Sequence, residues 1–88
     1  MTTAQILETL EEHYPDCLLG DGLEDAIIGI VEGACRELVV CYDYERSVKA
    51  LMKSTKMDEE EAEEFLQFNT IGAYVGKYTP LFLHRWRK

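Results

Sequence analysis

The stretch FLQFNTIGAYVGKYTPLF, residues 65–82, decides the fold, because a crowded apolar run there carries Asn69, Gly72, Gly76 and Pro80 where an ordinary helix avoids them. Glycine costs up to about 1 kcal/mol against alanine inside a helix, so two of them four apart imply close backbone approach or a helix end. Gly76 suits the left-handed position just past a helix, with Lys77 in the last turn or exit. Gly72 is then expected to let that helix lie close to a sheet. Thr79 and Pro80 lead into LFLHRW, whose alternation predicts a strand from Leu81, proline being tolerated at a strand's first residue.

Reading back from this junction, Asp58 with Glu61 forms a capping box, and Met57 is placed for a hydrophobic contact one turn in. The helix that follows has Ala62, Phe65, Leu66, Asn69 and Ala73 on one side and Phe68, Ile71, Gly72 and Val75 adjoining. Its second half is expected to be more than half buried. The preceding segment, from Tyr44 to the Ser54–Lys56 run, sets Tyr44, Val48, Leu51 and Met52 against Glu45, Arg46, Lys49 and Lys53, and Asp43 is its natural N-cap.

Further upstream, AIIGIVEG (Ala26 to Gly33) and LVVCY (Leu38 to Tyr42) are β-branched and nearly free of polar side chains, which predicts two strands joined by a tight loop. Apolar residues at both parities place the first strand at the centre of the sheet, with the last strand as its other neighbour. Ile6, Leu7, Leu10 and Tyr14 predict an amphipathic helix within residues 1–16, capped by Thr2 or Thr3 and ended by Pro15. The order helix, strand, strand, helix, helix, strand predicts an α+β fold: a three-stranded antiparallel sheet with about three helices packed on one face.

At 88 residues the chain is read as one domain, residues 1–88, with a basic tail at 84–88. Its 17 acidic against 9 basic residues give a net charge of −8, a field that repels nucleic acid backbones and anionic membranes. No apolar run approaches the ~20 residues of a membrane span, and MTTAQILETLEEH has acidic residues where a signal peptide has none. Cys17, Cys35 and Cys41 match neither a zinc ribbon nor a disulfide scaffold. Reduced thiols in a cytosol are expected.

No residue set supplies a nucleophile with a base and an oxyanion hole, so the chain is read as non-enzymatic, without cofactor or metal. Asp58 to Glu64 is carboxylate-rich, but the first turns of a helix favour such charges. Asp21, Gly22, Glu24 and Asp25 form an acidic turn that fails the EF-hand spacing. His13 falls at a helix end, where it satisfies carbonyls. A small-ligand or metal site remains open if that turn, at Asp21, Glu24 and Asp25, converges with Asp43 and Asn69. Tyr74 and Tyr78 belong to an aromatic group, with Tyr42, Tyr44 and Trp86, that is either packing or interface. The third alternative is an acidic mimic of DNA, against which the basic tail argues.

The segments DGLEDAIIG (21–29), CYDYERSVKALM (41–52) and MDEEEAEEFLQFNTIGAYVGKYTPLF (57–82) resemble a family of short uncharacterised proteins encoded by phages and prophages. The shared features are an aspartate-glycine turn before a strand, a YDY helix entrance, an EA pair and an FN-IGA-VG--TP ending. The resemblance implies an origin but no activity. Joined to the small size and acidic field, it makes a protein that engages a host or phage protein in the infected cell's cytoplasm, as inhibitor of a host system, the leading expectation. A homodimer through the third helix is left open.

Overall fold

The computed structural model describes residues 1–34 and 36–86; the readings made for Cys35, Arg87 and Lys88 lie outside the described residues. Helix α1 (Thr3–His13) starts at Thr2, whose hydroxyl accepts from Gln5 N–H while the Gln5 side chain accepts from Thr2 N–H. This capping box holds four-residue periodicity in register, and Leu10 is buried on the inward face. A 3₁₀ turn (Glu24–Ala26) precedes strand β1 (Ile27–Val31), so the strand begins one residue later than Ala26.

β1 pairs antiparallel with β2 (Val39–Asp43), and β2 pairs with β3 (Leu81–Leu83). The sheet order is β1-β2-β3, which corrects two expectations. The central strand is β2, buried at all five positions, while β1 is half-exposed at most of its outward-facing ones. The last strand runs parallel to β2, not antiparallel, so the sheet is mixed. The reason is the crossover: two helices separate β2 from β3, long enough to carry the chain back to the sheet's starting end, which a hairpin cannot do. Apolar content at both parities of β1 did not distinguish a central strand from an edge strand lying under a helix.

Helix α2 (Tyr44–Thr55) begins directly after the last residue of β2, without a loop. Asp43 is its N-cap, accepting from Arg46 N–H at 3.0 Å, and the helix ends at Lys56 in the left-handed region at φ 60°. Helix α3 (Glu59–Leu66) carries the expected Asp58–Glu61 capping box. It then widens into a π turn (Gln67–Ile71) that closes where Gly72 N–H donates to Gln67 O at 2.9 Å.

The helix therefore stops at Gly72 and not at Gly76. A Cβ at Gly72 would stand 2.6 Å from Gln67 O, so the close approach is to the turn's own carbonyl and not to the sheet. Gly76, at φ 117°, lies in the following loop, where Thr79 N–H and hydroxyl both bond to Gly76 O. Pro80 immediately precedes β3 as expected, but the strand covers only Leu81–Leu83.

The core joins Leu10, Leu23, Ala26 and Ile27 to Val40 and Tyr42 of β2, Val48 and Leu51 of α2, and Ala62 and Leu66 of α3. Tyr42 stacks on Phe82 across the parallel pair at 5.2 Å. The fully buried residues end at Leu66 on the helical side, with half-buried Ile71 packed against them. Contrary to expectation the continuation is open to solvent: Phe68 and Tyr74 are each 80% exposed and Val75 61%.

Candidate functional site

The acidic turn is folded on itself. Gly22 sits at φ 81°, its N–H donates to Glu24 Oε1 at 3.3 Å, and Asp25 Oδ1 accepts from the Thr3 hydroxyl at 2.7 Å. Asp21 is exposed at its tip. The turn is tied down by Tyr42, whose hydroxyl accepts from Gly20 N–H at 2.8 Å. Burial pushes the Tyr42 hydroxyl above its ordinary value; the Gly20 bond lowers it, and the Glu24 and Asp21 charges raise it.

Asp43 is buried at the end of the central strand. Both carboxylate oxygens are engaged, Oδ1 by Arg46 N–H and Oδ2 by Arg85 Nε, and Asp43 O accepts from the Ser47 hydroxyl at 2.9 Å. Burial acts to raise its carboxyl; the hydrogen bonds from Arg85 and Arg46, with both positive charges, outweigh that and hold it below the ordinary 3.8. Asn69 is exposed on the π turn, Tyr74 is exposed, and Tyr78 is half-buried with Lys77 Nζ 5.5 Å from its ring centroid.

The residues read as one site are thus spread among separate local roles. The groove beside the Asp43–Arg85 pair, about 380 Å³, runs between α2, α3 and the end of β3, and neither Asn69 nor the acidic turn lines it. Its walls bring Lys49 and Met52 opposite Glu59 and Glu63, and one end is the Tyr44–His84 stack, with centroids 4.1 Å apart. His84 and Arg85, of the basic tail at 84–88, are residues here that the sequence reading does not mark as candidates. The signal that could have found them is the alternation of LFLHR, which carries Arg85 two positions beyond the register partner of Asp43.

Burial and a neighbouring carboxylate act in the same direction on both Cys17 and Cys41. Cys17 Sγ donates to Leu38 O at 3.3 Å, and its thiol is raised by burial and then by Asp16; Cys41 is raised by burial and then by Asp43. Among the described residues no group of three or more His, Cys, Asp or Glu side chains is placed to hold a metal ion, and no helix is long and apolar enough to cross a membrane. Compared with protein-family models, curated proteins and solved structures, the chain matches none.

What remains as a site is surface. Phe65, Phe68, Tyr74 and Val75 present large apolar groups to solvent within eleven residues of chain. Ile71, between them in the chain, packs against the core, while Phe68, Tyr74 and Val75 stay outside it.

Proposed function

We propose that the protein is a non-enzymatic binding module that engages another protein through the aromatic surface around the π turn, with Phe68 and Tyr74 as anchors. The observation that carries this is their exposure, 80% each, in a chain with so few residues to spare from its core. Aromatic side chains are enriched among the residues that dominate interfaces, and an exposed aromatic set is the ordinary mark of one. The net charge of −8 selects for a partner with a basic surface. The resemblance to phage-encoded proteins supplies the setting, the cytoplasm of an infected cell, where capture of a host protein inhibits a host system.

The test is paired co-purification with the parent chain and a Phe68→Ser/Tyr74→Ser variant whose circular dichroism matches it. A stoichiometric partner held by the parent and lost by the variant supports the reading. A partner held equally by both overturns it, and concentration-dependent sedimentation of the purified chain assigns the surface to a second copy.

The groove ending at the Tyr44–His84 stack favours one second reading, a small-ligand site, since about 380 Å³ lies within the range of ligand pockets. Thermal melting against nucleotides and divalent cations tests it, because a ligand of the folded state raises stability by mass action. A flat panel removes it.

A further inference from the structure

The structure assigns a second docking site to the free edge of β1, which we propose takes an extended segment of a partner protein as an added strand, its apolar stretch flanked by Lys or Arg. β1 has β2 on one edge, and among the described residues no strand pairs with the other. Such an edge turns alternate N–H and C=O groups outward, a template for another chain. A groove of about 380 Å³ follows it, lined by Ile27, Ile28, Gly29 and Ile30 with Leu10 of α1 and Tyr14, the residue after that helix, opposite. Gly29 lines the groove and carries no side chain, so the groove reaches the strand's backbone there. At Gly29 a Cβ would have nothing within 4 Å, which leaves room for an incoming backbone. The register irregularity falls between Ile27 and Gly29, and the ladder from Gly29 to Val31 is regular.

Charge selects the occupant. Glu24 and Asp25 stand before the strand and Glu32 just after it, with Asp25 and Glu32 both exposed. A second copy pairing edge to edge in antiparallel fashion would bring Glu32 of each towards Asp25 of the other, like charges at both ends. A segment with basic flanks meets opposite charge at both ends instead. The site lies on β1 and α1, apart from the aromatic residues 65–75, so it stands independently of the function proposed above.

The probes are synthetic peptides of about ten residues, a usual strand length with flanks, added to the full chain. One has an alternating Val/Thr stretch with Lys at both ends, a second has Glu in place of Lys, and two more are the Lys peptide N-methylated at alternate amides in either phase. Amide hydrogen exchange of Ile27 to Val31 is the readout. The Lys peptide is expected to slow exchange there and to bind at least about tenfold tighter than the Glu peptide. One N-methylation phase abolishes binding and the other keeps it, because only one row of amides faces β1. Ile28→Lys, in the groove, weakens the Lys peptide, while Phe68→Ser/Tyr74→Ser leaves it unchanged. No protection of β1, equal binding of the Lys and Glu peptides, or indifference to both methylation phases overturns the proposal. So does a peptide-free chain that sediments as a dimer with β1 already protected.

Discussion

Arg85 donates through Nε to Oδ2 of Asp43, joining residues 42 apart and fastening the exit of β3 to the point where β2 becomes α2. The two partners differ in environment: the Asp43 side chain is 4% exposed and that of Arg85 53%. Removing Arg85 leaves a buried carboxylate held by the cap bond and the charge of Arg46. Because solvent screens the arginine, Arg85→Met is expected to cost about 1–2 kcal/mol rather than the 3–5 of a fully enclosed pair. Asp43→Ala, which also removes the helix cap, should cost more, by about 1 kcal/mol. Urea unfolding of the three chains measures both differences.

The same pair fixes a pH dependence. The Asp43 carboxyl is lower in the folded than in the unfolded chain, so its contribution is complete above the ordinary 3.8 and is lost as pH falls through the folded value. Asp43→Asn keeps an oxygen for the cap and does not titrate. The stability gap between parent and Asp43→Asn should be flat from neutral pH to about 5 and should shrink below about 4. A gap that widens on acidification contradicts the assignment.

Tyr42→Phe removes the hydroxyl that accepts from Gly20 N–H while leaving the ring on Phe82. An unpaired, partly buried amide costs about 1–2 kcal/mol. Faster amide exchange confined to Gly20 and the acidic turn after it, with α2 and α3 unaffected, is the expected local signature.

Two glycine substitutions should part in sign. Gly72→Ala drives a Cβ against Gln67 O, a backbone atom that must shift, and is expected to destabilise by about 1–3 kcal/mol. Gly29→Ala meets open space and restricts the unfolded chain, so it should be neutral or stabilise by up to about 1 kcal/mol. Thermal melts of both variants decide the matter.

Leu66 and Phe68 are two residues apart and should behave oppositely. Leu66 is 0% exposed, and Leu66→Ala is expected to cost about 2–5 kcal/mol. Phe68→Ser, at an 80% exposed position, should fall within about 0.5 kcal/mol of the parent. A large loss at Phe68 would place that ring in the core and remove the surface on which partner binding is proposed.

Much of this architecture was legible in the chain because its signals are local. Asp43 and Asp58 each reach a backbone N–H three residues on, and Glu61 returns the bond to Asp58. Those caps and the helical and strand periods between them gave α1, β1, β2, α2 and the start of α3 in their order. The candidate site was less legible. Asp43 is legible as a helix N-cap, but its partner Arg85 reads only as part of the basic tail, since nothing within one turn of Arg85 requires a carboxylate.

The sequence by itself determined the α+β class, the caps and the acidic field, because each depends on neighbours within a few residues or on composition alone. Only the tertiary structure decided that β2 is the central strand, that β3 joins it parallel, and that Phe68 and Tyr74 remain outside the core. Those are choices among packings of similar local quality. They are settled where the two-helix crossover brings the chain back to the sheet, and a hydrophobic side chain carries no mark of which surface it will meet there.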